Sequence, residues 1–144
     1  MNLSDITSFS TRAKLSYEKI CAPLCKEIGF PQVALDIVVF LFKNPDMNTA
    51  SDIAENRHIK PNLISNYVEK LVNAGYMTRS ASIKDRRIIE LVLTEKGLAA
   101  GRKGRDLQQR YFEILTNGLS EDELRSFSST LSAINDNLRT FSDK

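Results

Sequence analysis

At 144 residues the chain is the length of one domain, or of one domain with an added arm. Its 42% hydrophobic and 26% charged content allows a real core and excludes a disordered composition; the absence of Trp and the single His argue against a His-based metal site or catalytic triad. The net charge of +2 conceals a basic middle: residues 57–105 hold 11 basic and 4 acidic groups, against 5 and 7 in residues 1–56 and 4 and 7 in residues 106–144, and such a block points to a polyanionic partner.

The N-terminal stretch MNLSDITSFSTRAK lacks the apolar region of a secretory signal. Apolar residues at Tyr17, Ile20, Cys21, Leu24, Cys25 and Ile28 then recur at helical spacing, predicting a helix over 12–28 that Gly29 stops. The next stretch, FPQVALDIVVFLFKNPD, is apolar almost all round. Periodicity alone allows a buried strand, but its length and Pro31 near its start favour a buried helix ending near Lys43, with NPD as a turn. VALDIVVFLF, the longest apolar run, has ten residues and contains Asp36, too few for a membrane span. A cytoplasmic protein with reduced thiols and no membrane contact is expected.

Thr49 and Asp52 resemble a capping box and start a short helix over 49–56. Pro61 suits the first turn of another helix, 61–74, whose apolar stripe is Leu63, Ile64, Tyr67, Val68, Leu71 and Val72 and whose end Gly75 caps. Two β-type runs, 76–80 and 88–93, flank a charged connection and predict a hairpin. From Thr94 a long helical pattern runs through Leu98, Leu107, Tyr111, Ile114 and Leu115. Gly101 and Gly104 interrupt it, as a bend or as points of close helix approach. Ser120 and Glu123 form a capping box, and after it Leu124, Phe127, Leu131, Ile134, Leu138 and Phe141 follow in steps of 3, 4, 3, 4 and 3. That is the narrow seam of a helix–helix contact.

Two short helices with a tight connection, followed by a hairpin, describe a winged helix-turn-helix. The fold class expected is therefore mainly α, with a small β-hairpin wing and additional N- and C-terminal helices. The second helix of such a unit lies in the DNA major groove. Here its polar side presents Lys60, Pro61, Asn62, Ser65, Asn66, Glu69 and Lys70. Asn reads adenine bidentately, Ser contacts several bases, and Lys suits phosphates. Beside it, Lys84, Asp85, Arg86 and Arg87 mark the mouth of a strand. A narrow A·T-rich minor groove attracts Arg, and an aspartate two residues before Arg87 is placed to brace it. The bland alternative is a solvated hairpin loop.

These stretches, NLISNYVEKLVNAGYMTRS (62–80) and DRRIIELVLTEKG (85–97), resemble the MarR family of bacterial transcriptional regulators. Leu71 and Gly75 match its Leu-x-x-x-Gly element, Asp85 and Arg87 its wing Asp-x-Arg, and Leu93, Thr94 and Gly97 its Leu-Thr-x-x-Gly. The resemblance is strongest over residues 47–98. It implies a repressor that binds a palindromic operator as a homodimer, with residues 1–30 and 99–144 supplying dimerisation helices and 31–98 the DNA-binding domain. It implies that Arg87 enters the minor groove, and that a small aromatic or phenolic effector releases the DNA. Where many members have Arg after the recognition-helix Ser, this chain has Asn66, and Pro61 is also less usual, so operator sequence does not transfer. Cys21 and Cys25 lie on an apolar stripe, which predicts a core role; a thiol-based redox sensor is the alternative. A winged-helix module that binds protein rather than DNA is the other rival. No metal ligand set, cofactor motif or catalytic constellation is expected.

Overall fold

The computed structural model describes residues 1–143; Lys144, the last residue of the expected C-terminal region, lies outside them. The elements run α1 (Leu3–Ile28), α2 (Gln32–Lys43), α3 (Ala50–Arg57), α4 (Pro61–Asn73), β1 (Met77–Ala81), β2 (Ile89–Leu93), α5 (Glu95–Thr116) and α6 (Glu121–Ser142). Among the described residues no helix is long and apolar enough to cross a membrane. The chain divides into two compact units, Met1–Gln109 and the residues from Arg110 onward.

In the first unit, α1 begins nine residues earlier than the apolar stripe predicts. Asn2 caps it, accepting from the Asp5 N–H while Asp5 accepts from the Asn2 N–H, a full capping box in a stretch that buries nothing. α2 is the helix expected, with Ala34, Leu35 and Ile37 through Leu41 all buried. Around it pack Ile53 of α3, Ile64, Val68 and Leu71 of α4, Met77 of β1 and Leu91 of β2. A second cluster joins Leu35 and Val39 to Cys21 and Leu24 of α1. Leu63, expected on the α4 stripe, is instead exposed.

α4 ends with Gly75 at φ 83°, its N–H bonded to the Val72 carbonyl and that of Tyr76 to the Leu71 carbonyl. Because that helix ending uses the Tyr76 N–H, β1 starts at Met77, one residue later than expected. The hairpin is antiparallel, from Met77 opposite Leu93 to Ala81 opposite Ile89. The Leu91 N–H also reaches the Asn48 carbonyl at 2.8 Å, tying the wing to the segment before α3.

Gly101 and Gly104 lie inside an unbroken α5 and let it approach α2. A Cβ on Gly101 would stand 2.6 Å from Phe42 Cβ, and one on Gly104 would collide with the Val39 side chain. Gly97 lies closer still, against the Tyr76 carbonyl oxygen. In the second unit Gly118, at φ 82°, makes the turn between α5 and α6, and the Ser120–Glu123 capping box opens α6 as expected. Bonds from the Ser120 backbone and side chain hold the Glu123 carboxyl below the usual range.

Helix propensity alone says Gly→Ala gains about 1 kcal/mol, whereas overpacking a closed core costs about 1–3 kcal/mol. Gly104→Ala should therefore lower stability in urea denaturation, and Gly97→Ala, which meets backbone rather than a movable side chain, should lower it further. A rise in midpoint for both variants would show that α5 does not sit this close.

Candidate nucleic-acid interface

The connection between α3 and α4 is three residues, 58–60. His58 ends α3 in the left-handed region at φ 52°, and Lys60, extended at φ −60° and ψ 135°, leads into Pro61 at the first helical position. No side chain among the described residues caps the start of α4. Pro61 carries no N–H and the Leu63 N–H donates to the Lys60 carbonyl at 3.0 Å, so the positive end of the helix dipole is what this start offers an anion. With Ile64, Val68 and Leu71 facing inward, Asn62, Ser65, Asn66 and Glu69 lie exposed on the opposite side. Lys70 is exposed near the far end, its ammonium 5.2 Å from the centre of the Tyr67 ring.

The wing tip is braced. Arg87 donates three bonds to Asp85: backbone N–H to Oδ1 at 3.0 Å, Nε to Oδ1 at 3.1 Å and Nη2 to Oδ2 at 3.1 Å. These bonds, the side-chain pair first, hold the Asp85 carboxyl below the usual range. Arg87 nonetheless keeps its side chain 90% exposed. The expected brace is therefore present, and Lys84 and Arg86 stand exposed beside it.

Sequence reasoning gave no role to the clamp that fixes this tip relative to α4. Thr94 Oγ1 donates to the Gly75 carbonyl at 2.6 Å and accepts from the Gly97 N–H at 3.2 Å, while its N–H donates to the Tyr76 carbonyl. Lys96 Nζ donates to the Ala74 carbonyl at 2.9 Å and lies 4.4 Å from the Tyr76 ring centre. The Leu-Thr-x-x-Gly element was the available signal. It fastens the start of α5 to the end of α4.

A polar network crosses the layer of α1, α2 and α5. Gln32 Nε2 donates to Asp36 Oδ1 at 2.9 Å, Lys43 Nζ to Gln108 Oε1 at 3.0 Å, and Gln108 Nε2 to the Tyr17 hydroxyl at 3.0 Å. A cavity of about 240 Å³ is lined there by Asp36, Lys43, Asn56, Arg57 and Gln108, among others. Burial pushes the Asp36 carboxyl up, against the Gln32 bond and the Arg57 charge. It also raises the thiols of Cys21, fully buried, and Cys25, half-buried; both are free. A raised thiol pKa opposes the thiolate that redox sensing needs.

The MarR family model matches residues 31–89. The HTH-type transcriptional repressor MdtR of Bacillus subtilis (strain 168) is 35% identical over 94 residues, a match covering 61% of this chain. The matched stretch spans only 59% of that relative's length. Among solved structures, a MarR protein from Peptoclostridium difficile DA00132 superposes with TM-score 0.82 at 17% identity, covering all of this chain and 94% of the other. The S. aureus MepR–DNA complex gives TM-score 0.80 at 17% identity, covering 95% and 96%. At such identities these two likenesses establish the fold.

Because Asp36 ionises at higher pH in the fold than in the unfolded chain, its charge penalises folding above its folded pKa, and the penalty fades as pH falls toward the unfolded value. Asp36→Asn, which keeps an acceptor for Gln32, should melt higher than the parent at pH 7, with the gap closing near pH 4. A variant that melts lower than the parent at pH 7 would contradict this reading of the carboxyl.

Proposed function

We propose that the chain, whose residues 31–89 match the MarR family model, is a transcriptional repressor that binds a palindromic duplex operator as a homodimer. The observation that carries the reading is Arg87, fully presented to solvent yet held by Asp85, on a wing clamped to a helix with an exposed polar face. In this reading α4 enters the major groove, where Asn62, Ser65 and Asn66 meet base edges and Lys60 and Lys70 meet phosphates. Pro61 sets the entry of α4, and Lys84 and Arg86 hold phosphates on either side of the groove that Arg87 enters. The basic middle of the sequence favours this over a protein-binding module.

Residues 1–30 and 99–144 form the proposed dimerisation region around the winged domain of 31–98. No residue of α6 is buried, and Phe127, Leu131, Ile134, Leu138 and Phe141 are exposed along one face, with Leu124 half-buried. The start of α1 exposes Leu3, Ile6, Phe9 and Leu15 in the same way. Such surfaces are those a second copy covers.

Binding to duplex DNA should weaken steeply with salt, since each phosphate contact releases counterions. Arg87→Ala should reduce affinity by about 1–3 kcal/mol, taking the size of a base contact, with the largest loss at A·T-rich flanks. Asp85→Ala should lose less, and the two losses should not add, because both act through one interaction. Asn66→Ala should weaken preferred sites more than random DNA. Fluorescence anisotropy at matched salt decides: an Arg87→Ala protein that binds every duplex like the parent would reduce the wing to a solvated turn.

Charged residues in place of Leu131 and Ile134 should convert dimer to monomer, or unfold the chain if the contact is obligate. Sedimentation showing a folded, unchanged dimer would remove the α6 face from the interface.

A further inference from the structure

At the tip of the wing stands an apolar side chain that neither the fold nor the ion pair uses. Ile83 is fully exposed, at 101%. An isolated exposed isoleucine on a loose loop needs no explanation. This loop, however, is fastened on both sides of it. The Ser82 N–H donates to the Ile88 carbonyl at 2.8 Å, and its buried hydroxyl accepts from the Lys84 N–H at 3.3 Å. The Asp85 carbonyl accepts from the Ile88 N–H at 3.0 Å, while its carboxylate holds Arg87. Ile83 is therefore an apolar group held outward on a braced tip, and exposed Lys84, Arg86 and Arg87 follow it in the same loop.

Those cations select a polyanionic surface as whatever covers Ile83. The minor groove of duplex DNA is such a surface with an apolar component: its walls are deoxyribose carbons. We propose that Ile83 is a DNA-contacting residue that packs on the deoxyribose wall of the minor groove beside Arg87, resting on the reading of the hairpin as a minor-groove wing. The division of labour follows from chemistry. Lys84 and Arg86 take phosphates, Arg87 takes the electronegative floor of the groove, and Ile83 takes the sugars. An apolar contact releases no counterions, so it adds affinity that salt does not remove.

The salt dependence provides the test. Affinities of parent, Ile83→Ala, Ile83→Leu and Arg87→Ala are measured by fluorescence anisotropy over a range of salt. The probe is the tightest duplex selected from a randomised library, with vesicles of anionic phospholipid as a second ligand. Ile83→Ala should bind the duplex about 5–10-fold more weakly at every salt concentration, leaving the slope of log affinity against log salt unchanged. Ile83→Leu should restore the loss, Arg87→Ala should flatten the slope, and melting temperatures of the Ile83 variants should match the parent. Ile83→Ala binding the duplex as tightly as the parent overturns the proposal while leaving the DNA-binding reading intact. So does a loss confined to vesicle binding, which would assign the tip to a lipid surface. A parent that selects no duplex at all overturns the DNA-binding reading itself.

Discussion

The winged domain depends on one close approach: the backbone of Gly97 lies against the carbonyl of Tyr76, where no side chain fits. Around that contact Thr94 and Lys96 satisfy the carbonyls of Ala74, Gly75 and Tyr76, which follow the last helical residue of α4. The last turn of α4, the base of the hairpin and the first turn of α5 are therefore one junction. The proposed binding mode needs a helix and a hairpin held at a fixed separation, and a two-stranded hairpin alone is too weak to set it. Here the separation is set at the base of the wing by hydrogen bonds and along α5 by packing. Gly97, Gly101 and Gly104 lie at i, i+4 and i+7, so a single face of α5 is bare where it meets Tyr76, Phe42 and Val39.

At the tip the same economy is electrostatic. An exposed ion pair such as Asp85–Arg87 contributes little to stability, because water screens it. Its effect is geometric. Guanidinium has five N–H donors, and Asp85 engages one at Nε and one at Nη2, leaving three for another acceptor. The carboxylate fixes where the fork points without using it up. Lysine in this position would offer a point charge and no fixed plane.

Much of this was legible in the sequence, because capping boxes, helix-ending glycines and apolar periodicity are local signals. Thr49 with Asp52, Gly75 and Ser120 with Glu123 each occur where the local rule places them. Leu3, Ile6 and Phe9 of α1 also stand at helical steps of three, but they face solvent, so no core contact marks the first turns of that helix. Gly101 and Gly104 were undecidable for a different reason. Glycine announces an absent side chain, and whether the gap is a bend or a contact depends on Phe42 and Val39, some sixty residues away. Leu63 was misplaced because periodicity marks a face without its edges. Among the site residues the polar side of α4 and the Asp85–Arg87 brace were readable, whereas the Thr94–Lys96 clamp depends on carbonyls at the end of another helix.

The last helix shows how local and quaternary energetics join. α6 has a complete capping box, acidic residues in its first turn, Arg139 in its last, and i,i+3 pairs joining Arg125 to Asp122 and Arg139 to Asp136. These devices contribute tenths of a kcal/mol to about 1 kcal/mol each. They favour the helix without anchoring it, since in proteins most helical stability comes from packing an apolar face. On the apolar face of α6 only Leu124 is half-buried, and the rest is exposed among the described residues. In the proposed dimer, therefore, folding of α6 and association of two copies are a single equilibrium. Stability and operator affinity then both rise with protomer concentration, because the species that binds two half-sites is also the one in which α6 is packed.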